Sequence, residues 1–322
     1  MLFNNVICIP PRALNVGDRV AIVAPASPFR SDELLDGIDV IRECGLTPVL
    51  GPNVRMLHSH GTHAASVGSR VDELMWAFSD TSISAVITAT GGVGSAAVLP
   101  YLDYDVIRTG RKALLGMSDI TSLNTGIMTC AGLTSISGQY PTVRVDEGDK
   151  KRMSDTESLA LTLELMMSRE EWGERPFCIN QYIPRTVSPG RASGHIVGGN
   201  LDTFSRLLGT EFFPDCNGAI LFIEDVHKDG EGLQRMLIHM RLAGVLDQVA
   251  GVVIGEFYDV PKKEDARVPD IDDVILEFFS DGVPCLAGVS FSHGDFTIPI
   301  PIGAQCDMNA TIGDVSFRFR MG

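Results

Sequence analysis

A rhythm in the first 130 residues constrains this chain more than any other feature. A short β-branched apolar run breaks at glycine, proline or serine, and apolar positions at helical spacing follow. Arg19–Ala24 ends at Pro25-Ala26-Ser27-Pro28, and Ser31-Asp32-Glu33 then opens a helix through Leu34, Leu35, Ile38 and Ile41. Leu46–Leu50 is a second strand, before a helix on Val71, Leu74, Met75 and Phe78. Ala85–Ala89 is a third, entering Gly91-Gly92-Val93-Gly94-Ser95, and Ala113–Leu115 is a fourth, breaking at Gly116-Met117-Ser118-Asp119 into a helix over Ile120–Cys130. Strands alternating with helices predict an α/β lobe, Rossmann-like or flavodoxin-like, with a parallel sheet covered on both faces. Ligands of such sheets sit beyond the carboxyl ends of the strands.

Past Tyr140 the rhythm stops. Lys150–Arg169 reads as one amphipathic helix, and Gly173–Gly194, with Pro176, Pro184, Pro189 and Gly190, as a linker. Strand-like runs at Ala219–Ile223, Val249–Ile254 and Thr311–Phe319, with helices at Gly232–Ala243 and Asp272–Phe279, give a smaller, β-rich α+β lobe. The length of 322 residues also favours two lobes, because single cores begin to divide at roughly 250–300 residues. The expected division is 1–145, a helix and linker over 146–193, and 194–322.

No apolar run approaches the roughly 18–20 residues of a membrane span, and Val6–Pro10 lacks the basic flank of a secretory signal. A cytoplasmic protein with no membrane partner is expected. Net charge is −15 and the basic residues are scattered, which argues against nucleic acid as a partner. Seven widely spaced cysteines without a C-x-x-C pair argue for reduced thiols rather than a disulfide framework or a zinc knuckle.

Four places could carry chemistry. Ser118 stands on a strand-to-helix turn, where a nucleophile would be presented at the sheet's carboxyl edge, but Ile120 breaks Gly-x-Ser-x-Gly. It could equally cap a helix. Gly91-Gly92-Val93-Gly94 is neither G-x-G-x-x-G nor a P-loop, so it reads as an oxyanion donor or as a plain turn. Glu224 and Asp225 end an apolar run and are expected on opposite strand faces, so that at most one enters a site. His293, in Ser292-His293-Gly294-Asp295, is a candidate base. The order Ser118, Glu224, His293 recurs among serine hydrolases. His58, His60 and His63 have metal-like spacing but lie in a Gly/Ser-rich loop without a carboxylate, so no metal is expected.

Together these segments resemble the LD-carboxypeptidases, a serine-peptidase family that includes murein tetrapeptide carboxypeptidases and microcin C immunity peptidases. The resemblance rests on Gly17-Asp18 leading into Val20–Pro28, Gly91–Ser95, Leu115–Asp119, Gly198-Gly199-Asn200-Leu201, Phe222–Asp225 and His293-Gly294, in order and in register. It implies a catalytic Ser118, an orienting Glu224 and a base, His293, with Gly92 and Asp119 N–H groups forming an oxyanion hole beside Gly91. It further implies a site between two lobes, a homodimer, and no metal or cofactor. The substrate would be a small peptide, with release of D-Ala from a murein tetrapeptide, or a peptidyl-nucleotide amide. Many murein enzymes of the family carry Arg before the paired glycines and an aromatic after them, where this chain has Thr90 and Val93. Those departures keep a non-catalytic binding protein on the same fold as a reading of another class. Trp172 and loop 173–190 are candidates for an aromatic platform or for a lobe interface.

Overall fold

The computed structural model describes residues 8–56, 60–145, 148–167, 184–262, 265 and 267–318. Two mixed sheets organise them. The first is built from β1 (Arg19–Val23), β2 (Thr47–Leu50), β3 (Ala85–Thr88), β4 (Ala113–Leu115) and β5 (Ser135–Ser137). These run parallel in the order β2-β1-β3-β4-β5, the flavodoxin-like arrangement whose crevice opens between β1 and β3.

Covering both faces explains why the strands read as continuous apolar runs rather than alternating ones. Ile22, Ile87 and Leu115 pack under the helices Leu35–Glu43 and Asp149–Met167, while Ala21, Val86 and Leu114 face Leu74, Phe78 and Ile107 on the other side. Each buried Ile or Leu contributes about 1.5–3 kcal/mol. The helix expected over Ile120–Cys130 is α-helical only from Thr121 to Gly126 and widens into a π-turn at Ile127–Ala131.

The second sheet contains β6 (Arg185–Ser188), β7 (Arg191–Asn200), β8 (Ile220–Val226), β9 (Gly251–Tyr258) and β10 (Cys285–Ala287). After β11 (Ile300–Ile302), β12 (Gln305–Asn309) and β13 (Asp314–Arg318) complete it in the order β13-β12-β7-β8-β9-β10-β6. Its centre, β7 to β10, is parallel, and the flanking strands are antiparallel. The sheet curls until the Thr186 hydroxyl donates to the Ala310 carbonyl at 2.6 Å. β11 leaves this lobe and adds to the first sheet, antiparallel to β5.

The linker expected over Gly173–Gly194 is corrected at its end, where β6 and the start of β7 are ordered strands joined by Pro189-Gly190. The turn residues were visible, but the short strands around them lack strict alternation; Trp172 and residues 168–183 lie outside the described residues. Among the described residues no helix is long and apolar enough to cross a membrane.

Candidate active site

β4 delivers Ser118. Gly116 follows the strand where a Cβ would collide with the Thr88 hydroxyl, and the Gly116 carbonyl accepts from Asn124 Nδ2 at 2.8 Å. The chain then turns so sharply that Ser118 takes φ 63°, a left-handed conformation that a non-glycine residue holds only where its surroundings impose it. Ser118 does not cap a helix. Met117 and Ile120 occupy the cap positions of the two successive helical turns, without side-chain caps. The hydroxyl of Ser118 is left to other work.

Against this turn lies the glycine loop after β3. A Cβ on Gly91 would stand 2.8 Å from the Ser118 Cβ and 3.2 Å from its Oγ. Gly92 follows with φ 103°. Ser27, from the loop after β1, accepts from the Val93 N–H at 3.0 Å, so the β1–β3 crevice is where the loops converge. Ser95 ties the loop to the nucleophile turn: its N–H donates to Asp119 Oδ2 at 2.8 Å and its hydroxyl to the Asp119 carbonyl at 2.6 Å. Burial pushes the Asp119 carboxyl upward, opposed by these bonds and by Arg70. Arg70, buried under the loop, donates to the Pro25 and Gly94 carbonyls at 2.6 and 2.8 Å. His63 packs its ring against Gly94, His60 and His63 close a tight turn, and His58 lies outside the described residues.

The second lobe brings Glu224 to His293. Glu224 Oε2 meets His293 Nδ1 at 2.7 Å, with side-chain exposures of 4% and 13%. Burial drives the imidazole pKa down, but the charge and hydrogen bond of Glu224, with the charge of Asp225, outweigh it and leave the ring above its ordinary value. His293 Nε2 is buried without a hydrogen-bond partner among the described residues.

Glu224 and Asp225 are expected on opposite strand faces, with at most one entering a site; Asn200 Nδ2, at the end of β7, reaches both carboxylates, at 3.3 and 3.1 Å, and Glu224 is the one bonded to His293. Asp225 also accepts from the Asp202 and Val226 N–H groups, and burial and the neighbouring Glu224 push its carboxyl up to about 6.

The two halves meet here. The Asn200 N–H donates to Thr121 Oγ1 at 3.0 Å, three residues past Ser118, where a Cβ on Gly199 would strike the same threonine at 2.7 Å. Tyr140 stands nearby in the field of Arg144, Asp155 and Glu224, its hydroxyl pKa raised chiefly by burial.

Comparison with known proteins agrees with this two-lobed arrangement. The sequence model of the LD-carboxypeptidase N-terminal domain matches residues 20–138, and that of the C-terminal domain residues 193–308. The chain belongs to the LD-carboxypeptidase family of serine peptidases. A probable murein peptide carboxypeptidase of Bacillus subtilis is 33% identical over 303 residues, 93% of this chain and 91% of that one. The microcin C7 self-immunity protein MccF of Escherichia coli is 26% identical over 320 residues, 91% of this chain and 90% of that one. The fold matches the structure of MccF in complex with glutamyl sulfamoyl guanosine at TM-score 0.85 and 22% identity, over 98% and 99% of the two chains.

In this LD-carboxypeptidase, several residues at the site escaped sequence reasoning. Asn200 entered only as part of the Gly198-Gly199-Asn200 motif; the signal was an amide directly after paired glycines at a strand end. Arg144, Asp155 and Lys151 carried no motif at all. They surround the His293 loop, with Arg144 donating to the His293 carbonyl at 2.6 Å.

Proposed function

We propose that Ser118, His293 and Glu224 work as a catalytic triad that releases the C-terminal D-Ala of a murein tetrapeptide. One observation carries the reading: His293 is held by Glu224 through Nδ1 while Nε2 stays buried and without a partner among the described residues, on the side of the molecule where Asn200 and Thr121 join the lobes. With its proton on Nδ1, the ring donates to Glu224 and leaves Nε2 as the base. Triad contacts of a free enzyme are often long and close only around substrate.

Ser118 Oγ attacks the amide carbonyl while His293 Nε2 takes its proton. The N–H groups of Gly92 and Asp119 receive the developing oxyanion; Asp119 begins a helical turn, whose first N–H groups have no acceptor within the turn. Gly91 supports this role, since a side chain there would crowd the nucleophile, its Cβ 2.8 Å from the Ser118 Cβ. Collapse breaks the C–N bond, His293 gives its proton to the leaving amine, and water then hydrolyses the acyl-serine with His293 again as base. The products are a tripeptide and D-Ala.

The 33% identity to a probable murein peptide carboxypeptidase favours this substrate. A second reading, hydrolysis of an aminoacyl-nucleotide amide, is favoured by the match to MccF with a sulfamoyl nucleotide. Both substrates should be offered to purified protein beside Ser118→Ala. D-Ala release lost by about 10⁴-fold in the variant is expected. Unchanged release in the variant overturns the triad, and processing of the nucleotide conjugate alone selects the second reading.

A further inference from the structure

His293 lies on a loop between β10 and β11 whose N–H groups are tied within its own lobe, Ser292 to Thr297 Oγ1 at 3.1 Å and Gly294 to Ser292 Oγ at 2.8 Å. Three groups from outside its own lobe hold the backbone of this loop. Arg144, in the segment after β5, donates to the His293 carbonyl at 2.6 Å and to the Gly294 carbonyl at 3.2 Å. Lys151 donates to the same Gly294 carbonyl, and Ser158 Oγ accepts from the Thr297 N–H at 3.0 Å. Asp155 completes the set by fixing Arg144, through Oδ1 at 2.6 Å and Oδ2 at 3.1 Å, and by accepting the Arg144 N–H at 3.0 Å.

Lys151, Asp155 and Ser158 recur at helical spacing on one face of Asp149–Met167, and all three are buried. On the expected amphipathic helix this face would be apolar. Leu159, Leu163 and Met166 do supply packing nearby, but a polar stripe runs beside them. Burying charge in this way is a poor means of stabilising a fold, since an apolar replacement often does as well. What an ion pair bonded at several points, with its carboxylate buried, does provide is one fixed position for the groups it touches. Here that group is the backbone of the candidate base, and the Tyr258 ring, 5.9 Å from the Arg144 guanidinium and 5.7 Å from the Lys151 ammonium, backs the cluster.

We propose that Arg144, held by Asp155 and assisted by Lys151 and Ser158, is a positioning residue that clamps the His293 loop from the opposite lobe and sets the imidazole against Glu224. This rests on the reading of His293 as the catalytic base. It makes the helix between the lobes part of the active-site scaffold. A misplacement of about 1 Å in such a base costs about 100-fold in rate, and the clamp acts on kcat rather than on substrate affinity.

The test uses the full chain with Arg144→Gln, Arg144→Lys and Ser158→Ala, each checked for cooperative unfolding. Steady-state kinetics on the tetrapeptide are read together with the downfield proton NMR signal of the hydrogen-bonded imidazole, assigned by its loss in His293→Gln. Arg144→Gln is expected to lower kcat about 10- to 100-fold, to leave KM nearly unchanged and to abolish or broaden the imidazole proton. Arg144→Lys, a cation without the bidentate fork, should restore part of both. If Arg144→Gln does not fold, Ser158→Ala carries the test, with a smaller fall in kcat and the same broadening.

An unchanged kcat, a change confined to KM, or a sharp imidazole proton beside a lowered kcat overturns the clamp. If His293→Gln itself hydrolyses tetrapeptide like wild type, the triad fails instead. The NMR comparison then still decides whether Arg144 holds the loop.

Discussion

The two sides of the site are fixed by different means. On the first lobe the backbone does the positioning: Ser118 at φ 63° follows Gly116 and faces Gly91, and its side chain caps nothing. On the second lobe side chains do it: Asn200 bridges two buried carboxylates, Glu224 holds His293, and Arg144 grips the loop behind. A backbone-built turn is disrupted by adding atoms, whereas a side-chain network is disrupted by removing a charge or a donor. Substitutions of each kind therefore probe the two sides separately.

The largest effect falls on the network. Glu224→Gln keeps the shape but removes the charge, and it permits the wrong imidazole tautomer, so kcat should fall about 10³- to 10⁴-fold. Glu224 is also what overcomes burial and raises the His293 pKa. Without it that pKa falls, the neutral base persists to lower pH, and the acid limb of kcat/KM moves downward. A limb that stays in place, or moves up, breaks the account of how the second lobe prepares its base.

The same contrast explains what the sequence made legible. Glycines and a strand-turn-helix rhythm are local signals, so β1, β3, β4 and the α/β class were readable from Arg19–Val23, Ala85–Thr88 and Ala113–Leu115. The Ser118 turn announced itself through Gly116. The contact between Glu224 and His293 spans 69 residues, and without the family resemblance only chain order hinted at it. Arg144 and Asp155 are ordinary charged residues until tertiary packing buries Asp155 and sets the half-buried Arg144 against the His293 loop. The contact of Asn200 with both Glu224 and Asp225 is likewise a pairing effect, set by β7 lying beside β8.

Gly91→Ala tests the backbone-built side. Its methyl group would lie 2.8 Å from the Ser118 Cβ, nearer than packed carbons approach, so either the glycine loop or the nucleophile must shift. The expected result is a loss of about 100-fold in kcat with folding retained, because neither residue belongs to a hydrophobic core. Circular dichroism and active-site labelling by a fluorophosphonate should separate the two, giving a native spectrum with slow labelling. Wild-type labelling rates would mean that the loop yields easily and that Ser118 is not fixed by this contact.

The smallest expected effect on rate belongs to Asp225, whose role is to share Asn200 with Glu224 rather than to touch the base. Its carboxyl sits at about 6 because burial and the Glu224 charge disfavour ionisation, against about 3.9 in an unfolded chain. Between those values the folded state binds a proton that the unfolded state has lost, so this group's contribution to stability is present at low pH and disappears as pH rises through about 6. The full change is on the order of 3 kcal/mol. Asp225→Asn cannot ionise, and it loses one acceptor for the Asp202 N–H, a pH-independent cost of about 1 kcal/mol. Urea unfolding of both proteins should therefore show the wild type's advantage shrinking, or reversing, as pH is raised from about 4 to about 7. A difference that stays constant across that range would mean that the folded state does not hold the Asp225 proton to higher pH than the unfolded chain does.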